Sequence, residues 1–268
     1  MIRLTQKGAM PCLEADAMAA LDWLTHAFFT RLGGVSQGPF SSLNTGFFVG
    51  DRQQDVHRNL AMIARTFSIP ASRLVQMRQV HGDRIVPLDG DAPAPGAVPP
   101  CDGLVTDRPE MAIGIKTADC VPLFFADRLR RVIGVAHAGW RGTALGIASK
   151  MVTFLQERFS CRTQDILVAI GPAIGACCYQ VDGPVHDAFR ARAGVKGFLH
   201  PCRQSGRWML DLASANRMAL TDSGVPAENI CEAGYCTACR QDLFFSHRAT
   251  RGDTGRQINL LMLRDGSC

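Results

Sequence analysis

Short apolar runs bounded by glycine, proline and charge recur along this chain, and most have the length of strands. Thr25–Thr30, Leu74–His81, Gly103–Thr106, Ala112–Thr117, Pro122–Ala126, Val132–His137 and Ile166–Ile170 each read as a strand. The first is followed by a Gly-rich turn, Arg31-Leu32-Gly33-Gly34-Val35-Ser36. Helical spacing appears in three places. Over Asp55–Phe67, Val56, Leu60, Ile63 and Ala64 share one face, with Asp55 placed to cap it. A second helix is expected over Thr143–Phe159, starting behind Gly142, so that its first amides face the His137 region and favour an anion. A third is expected over Leu212–Ser223, stopped by Gly224 and Pro226. Strands and helices mix without strict βαβ alternation, which predicts an α/β or α+β fold built on mixed sheets.

Two apolar runs carry reactive groups at their ends. Met111–Ile115 leads into Thr117-Ala118-Asp119-Cys120, and Val132–Ala136 leads into His137-Ala138-Gly139-Trp140-Arg141-Gly142. Ligands and catalytic groups collect at strand ends in α/β folds. A polar turn, Asp127–Arg131, lies between the runs, so they are expected to be neighbouring strands that bring Cys120 and His137 together. His81 closes another predicted strand. Two imidazoles and a thiolate form a zinc ligand set with a fourth position open, the arrangement of catalytic zinc sites. Copper accepts the same donors. Asp119 and Arg141 sit beside two of these ligands in sequence and are candidates to orient them or to meet substrate. The spacing of His81, Cys120 and His137 matches no compact zinc motif, and a lone cysteine or histidine is more often a core thiol or a structural hydrogen-bonder. A Cys/His hydrolase is equally compatible with the residues, with Cys120 or Cys177 as nucleophile and His137 or His81 as base.

Composition narrows the classes. The chain has 268 residues, 47% hydrophobic and 20% charged, as expected of a globular protein. Its formal charge of +5 comes from scattered arginines rather than a basic block. This fits a small anionic ligand and does not call for nucleic acid. No stretch approaches the ~20 apolar residues of a membrane span, and no apolar segment follows Met1-Ile2-Arg3-Leu4, so a cytoplasmic protein without membrane association is expected. The 11 cysteines are an odd number, which favours free thiols over a disulfide framework. Cys236-Thr237-Ala238-Cys239 is a lone C-x-x-C. With Cys177-Cys178 it offers a structural metal site or a redox pair, although plain core or surface thiols are the simpler reading. Asp89–Pro100, rich in Pro, Ala, Gly and Asp, is expected to be an exposed loop. Neither a Gly-rich phosphate loop nor a dinucleotide fingerprint is present.

Several segments, in order, resemble the laccase-domain family, the group of YfiH- and YlmD-like proteins named both polyphenol oxidases and purine nucleoside phosphorylases. They are Ala27–Ser36, Ser42-Leu43-Asn44-Thr45-Gly46, Gln79-Val80-His81-Gly82, Thr117–Pro122, Ala136–Thr143, Ile170–Tyr179, Cys236-Thr237, Phe244–Arg248 and Gly255-Arg256. The resemblance implies one domain over residues 1–268 with a four-layer αββα-type fold, and a zinc site from His81, Cys120 and His137. It implies phosphorolysis of adenosine, inosine, guanosine and S-methyl-5′-thioadenosine, and deamination of adenosine. Older family naming implies copper-dependent phenol oxidation, and some bacterial relatives imply hydrolytic editing of UDP-muramyl peptide precursors. Within the phosphorylase reading the partners are a nucleoside and phosphate. Arg141, Arg248 and Arg78 are then candidates for phosphate, Asn44 for the ribose or base edge, Cys177 for the substrate wall, and Asp119 for proton transfer. The chain departs from the family pattern at His247, where an aromatic residue is usual, at Lys116, and at Arg78. The oligomeric state is left open.

Overall fold

The computed structural model describes residues 1–94, 96–190 and 194–265; Cys268 and part of the Asp89–Pro100 segment therefore lie outside the described residues. The chain runs through β1 (Ile2–Lys7), β2 (Met10–Ala15), α1 (Asp16–Ala19), β3 (Leu24–Phe29), α2 (Gln53–Thr66), β4 (Leu74–Gln76) and β5 (Ile85–Pro87). It continues through β6 (Gly103–Thr106), β7 (Ala112–Thr117), β8 (Val121–Asp127), β9 (Val132–Ala138), α3 (Trp140–Leu145), α4 (Ile147–Phe159) and β10 (Ile166–Ile170). Then come β11 (Gln180–Val181), α5 (Gly183–Phe189), β12 (Leu199–Pro201), β13 (Trp208–Leu210), α6 (Leu212–Asp222), β14 (Ile230–Glu232) and β15 (Gln257–Leu263).

Two six-stranded mixed sheets form the body, in the orders β1-β2-β3-β15-β7-β4 and β14-β10-β8-β9-β6-β5. Most pairs are antiparallel, and β4·β7, β5·β6 and β10·β14 are parallel. The sheets face each other. Phe28, Ile113, Ile115 and Leu261 of the first pack with Leu104, Phe124, Ile133 and Val135 of the second. Phe28 and Phe124 stack across this interface at 4.0 Å between ring centroids. The alternate residues of the first sheet, Ala27, Phe29, Ala112 and Leu260, meet Val56, Leu60 and Ile63 of α2. The outer face of the second sheet, including Leu123, Phe125 and Ala136, is covered by Ile147, Met151 and Leu155 of α4 and Leu212, Ala215 and Leu220 of α6. The layers are thus α, β, β, α. Central strands such as β3, β8, β9 and β15 are buried on both faces along their whole length, which is why they read as unbroken apolar runs. Among the described residues no helix is long and apolar enough to cross a membrane.

The structure corrects four local readings. The runs Met111–Ile115 and Val132–Ala136 are not neighbours, because β7 lies in the first sheet and β9 in the second; it is β8 that pairs with β9 across the Asp127–Arg131 turn. The expected strand to His81 ends at Gln76: the next backbone groups of β7, those of Lys116, bond the Gln79 side chain, and the amides of Val80, His81 and Gly82 go to a carboxylate, Asp102, instead of a ladder. The helix expected over residues 143–159 is two helices, α3 and α4, broken at Gly146 in the left-handed conformation (φ 83°). The one facing His137 has only six residues, too few for a substantial macrodipole. Asp55 is not the cap of α2. It lies inside the first turn, 4% exposed, with Arg52 at 3.4 Å and Arg58 at 3.7 Å.

Candidate metal centre and its surroundings

Between β7 and β8 the chain crosses from one sheet to the other through Ala118, Asp119 and Cys120. The crossing needs a sharp bend, and Asp119 takes it at φ 94°, a conformation that costs a side-chain-bearing residue ~1–3 kcal/mol. Its carboxylate is held from two directions. Thr237 Oγ1 donates to Oδ1 at 2.6 Å, and the Arg248 amide donates to Oδ2 at 2.6 Å. These bonds lock the bend and set Cys120 at the start of β8. His137 stands one residue before the end of β9, opposite Pro122 in the register, and is 2% exposed. His81 arrives from the loop after β4, also at positive φ (59°).

The Sγ of Cys120 and a ring nitrogen from each of His81 and His137 lie within 4.8 Å of one another, with the two rings edge-on and their centroids 4.9 Å apart. Gly139 lines this cradle; a Cβ there would sit 3.1 Å from both Cys120 Sγ and His81 Cδ2. Asp102, fully buried, organises two of the three ligands. Its Oδ1 lies 2.8 Å from His137 Nδ1 and accepts from the His81 amide at 3.0 Å. Its Oδ2 accepts from the amides of Gly82 at 2.7 Å and Val80 at 3.2 Å. With Nδ1 of His137 engaged there, Nε2 is the nitrogen available to a ligand. Burial works to raise the Asp102 pKa, yet the hydrogen bonds from His137 and the loop amides hold it below the usual carboxylate range.

Charge is shared across the cluster. Burial alone would push the Cys120 thiol up, but the facing His137 and His81 imidazoles pull it down to about 6. Burial likewise opposes charge on His137, and the Cys120 thiolate with Asp102 raises it to about 9. Without metal, the pair therefore favours thiolate and imidazolium near neutral pH. This electron-rich, deprotonated sulfur is the form that binds a metal.

The remaining sequence candidates separate. Arg248 lies over the Tyr179 ring at 4.9 Å and donates to the carbonyls of Gln180 at 2.9 Å and Cys178 at 3.3 Å. Arg141 is exposed, 4.3 Å over the ring of Trp140. Burial and then the Cys120 thiolate push the Tyr179 hydroxyl up, while the charges of Arg248, stacked on its ring, and Arg141 pull it down. Arg78 is exposed, and its carbonyl accepts from the Cys101 amide at 3.2 Å. Asn44 does not face an open site. It is fully buried, its Nδ2 donates to Gly46 O and Asp51 Oδ2, and its Oδ1 accepts from the amides of Gly46 and Arg256. Every polar atom of that amide is used by the chain itself, which gives Asn44 a structural role. Cys177 lies in a separate cluster with Cys178, Cys236 and Cys239.

Sequence reading missed Asp102 and Arg256 as contributors. Asp102 precedes the buried strand β6, and a carboxylate at the mouth of an apolar run was the available signal. Arg256 is half-buried; desolvation lowers its pKa, partly offset by the charges of Cys120 and Asp119, so it belongs to the electrostatic surroundings of the thiolate. A cavity of about 710 Å³ lined by Arg73, Asp89, Asp91 and Arg108 includes none of the three metal-type ligands.

Comparisons with known proteins agree with this fold. Residues 25–264 match the family described as multi-copper polyphenol oxidoreductase laccase. The Geobacillus stearothermophilus protein named purine nucleoside phosphorylase YlmD is 43% identical over 267 residues, covering 97% of this chain and 96% of its own. The Escherichia coli protein named purine nucleoside phosphorylase YfiH is 33% identical over 237 residues, covering 87% and 91%. The crystal structure of a Bacillus licheniformis hypothetical protein YfiH superposes with a TM-score of 0.90 at 38% identity, covering 98% of this chain and 99% of that one. That of YlmD from Geobacillus stearothermophilus gives 0.89 at 38% identity, covering 99% and 100%.

Proposed function

This chain belongs to the laccase-domain family of YfiH- and YlmD-like proteins, and on that premise we propose that it is a zinc-dependent purine nucleoside phosphorylase acting on adenosine, inosine, guanosine and S-methyl-5′-thioadenosine, with adenosine deaminase activity at the same site. The observation that carries the reading is a metal-type triad, with Arg248 held through Asp119 next to Cys120, in a chain whose relatives bear the phosphorylase name.

The residues fit zinc. One thiolate and two imidazoles are a borderline-soft donor set, His137 is oriented through Asp102, and the Gly139 cradle leaves room beside the ligands. Zinc held by His81, Cys120 and His137 would act as a Lewis acid and lower the pKa of a bound water, the chemistry that deamination requires.

Phosphorolysis breaks the C1′–N9 bond of the nucleoside as a phosphate oxygen bonds to C1′, releasing the base and ribose 1-phosphate. The protein's task is to place the phosphate dianion beside a developing oxocarbenium ion. Arg141 and Arg248 supply positive charge from two separate segments of chain, Arg248 from over the Tyr179 ring. Arg256 adds a third cation to the electrostatic surroundings of Cys120 and Asp119. Asp119 acts by position. With both oxygens held by Thr237 and Arg248, it fixes the Cys120 bend and the Arg248 backbone rather than moving a proton.

Purified protein given inosine and inorganic phosphate is expected to yield hypoxanthine and ribose 1-phosphate in equal amounts. Absence of base release from all four nucleosides overturns the reading. One further reading has an observation behind it. Cys120, His137 and Asp102 also line up as nucleophile, base and orienting carboxylate, the arrangement of a cysteine hydrolase such as an editing enzyme for UDP-muramyl peptides. Activity on such a peptide that survives chelation and is abolished by Cys120→Ala would favour it. The copper oxidase reading has less support. Of the two clusters of His, Cys, Asp and Glu ligands among the described residues, one contains histidine, whereas four-electron reduction of oxygen by a laccase uses several coppers.

A further inference from the structure

A second cluster of metal-type ligands lies apart from the first. Cys177 and Cys178 come from the turn after β10, and Cys236 and Cys239 from the C-x-x-C turn between β14 and β15. All four Sγ atoms lie within 4.8 Å of one another, with Cys177–Cys239 at 3.6 Å and Cys178–Cys239 at 3.4 Å. A tetrahedral ion with metal–sulfur bonds of ~2.3 Å separates its sulfurs by about 3.8 Å, so the thiols already stand near the spacing of such a shell.

The surrounding backbone is shaped to the cluster. The Gly175 amide donates to Cys236 Sγ at 3.3 Å, a bond that favours thiolate. A Cβ on Gly175 would lie 3.3 Å from Cys236 Cβ, tighter than ordinary packing, and 3.4 Å from Cys177 Sγ, in contact with it, so glycine keeps the space beside the sulfurs open. The two turns are joined directly beside the sulfurs, where the Thr237 amide donates to Ala173 O at 3.0 Å. Arg248 donates to the Cys178 carbonyl at 3.3 Å, which places a cation next to a shell that would carry net negative charge. Cys177 and Cys239 are exposed and give an ion a route in from solvent.

We infer that Cys177, Cys178, Cys236 and Cys239 bind a second, structural zinc ion as a closed tetrathiolate. Binding displaces four thiol protons and forms four zinc–sulfur bonds, with no change of oxidation state and no position left for water. The ion cross-links the two segments that carry the far wall of the first site. One ends in Tyr179. The other holds Thr237, which donates to Asp119, and Arg248. Its role is to hold that wall against Cys120. The inference is independent of the phosphorylase reading, since it rests on ligand geometry and not on a reaction.

The test is metal stoichiometry of the whole protein by elemental analysis and native mass spectrometry. Two zinc equivalents per chain are expected, falling to one in Cys236→Ser/Cys239→Ser and to one in Cys120→Ala. A wild-type value of one that is unchanged in the double variant overturns the proposal. So does an intact mass two hydrogens light for each bond, which would show the thiols paired as disulfides. Should the double variant fail to fold, alkylation of the wild-type protein decides. Cys177, Cys178, Cys236 and Cys239 are expected to resist iodoacetamide until a strong chelator is added, and free reaction without chelator overturns the assignment. Cobalt loaded into Cys120→Ala protein is expected to show the intense visible bands of a tetrahedral tetrathiolate, and their absence counts against it equally.

Discussion

Replacing Asp102 by asparagine tests whether one buried carboxylate assembles the first metal site. Two oxygens meet four N–H donors here, at 2.8 and 3.0 Å on Oδ1 and at 2.7 and 3.2 Å on Oδ2. Asparagine keeps the shape but has one acceptor oxygen. If that oxygen faces His137 and His81, its NH₂ group points at the Gly82 and Val80 amides, donor against donor. If it flips, His137 loses its orienting partner. Hydrogen bonds to a charged group are each worth ~1.5–3 kcal/mol net, so losing two costs roughly 3–6 kcal/mol of local stability. Loss of such an orienting partner typically weakens a metal site by about 10–100-fold, and the expected loss here is roughly 30-fold in zinc affinity, or ~2 kcal/mol. The assay is competition against a chromophoric chelator, with Cys120→Ala marking the curve for a lost site. Thermal unfolding in chelator separates damage to the fold from damage to the ligands. An Asp102→Asn protein that folds and binds zinc within about twofold of wild type refutes the argument.

His26 is buried, accepts the Ala15 amide on Nε2 at 2.8 Å, and has its pKa pushed down from 6.5 to about 3 by burial and then by Lys7. Its folded pKa lies below the unfolded value, so the neutral ring's contribution is complete above about pH 6.5 and is lost as pH falls toward 3. At pH near 5 the loss is ~2 kcal/mol, from ~1.4 kcal/mol per unit over about 1.5 units; urea unfolding midpoints at neutral pH and near pH 5 would measure it, and His26→Gln is expected to flatten the difference. Gly171→Ala is expected to destabilise by ~1–3 kcal/mol, because the added Cβ would stand 2.4 Å from the Phe28 ring; an unchanged denaturation midpoint would show that the sheets yield there. Arg256→Met is expected to raise KM for phosphate about tenfold with the zinc content intact, measured by phosphate titration of inosine cleavage. In chelator-treated protein, Cys120 is expected to become alkylatable with a midpoint near its pKa of about 6, well below an ordinary thiol; a midpoint above about 8 would remove the thiolate–imidazolium pair.

Much of the architecture is legible in the apolar periodicity. β7, β10 and α6 fall where the pattern predicts them because their burial is continuous or one-sided, and burial is what periodicity reports. The failures share a cause. The strand to His81 stops early because the Gln79 side chain and Asp102, remote in sequence, take the backbone groups a ladder would use, and Met111–Ile115 parts from Val132–Ala136 because the chain changes sheets at Ala118–Cys120. Asn44 reads as a ligand-facing polar residue and is instead a buried clasp for Gly46 and Arg256, a distinction that depends on which groups surround it.

The sequence by itself determined the mixed-sheet class, the strands that carry Cys120 and His137, and, through ordered motifs, the family and its three metal-type ligands. Tertiary structure alone decided that Asp102 ties two of those residues together, that Asp119 is held at both oxygens, and that the Cys177-Cys178 and Cys236/Cys239 pairs meet. Burial is a property of single residues and leaves a periodic trace along the chain. A site is a set of pairwise distances between distant segments, and those are fixed only when sheet register and the crossing between sheets bring the segments together.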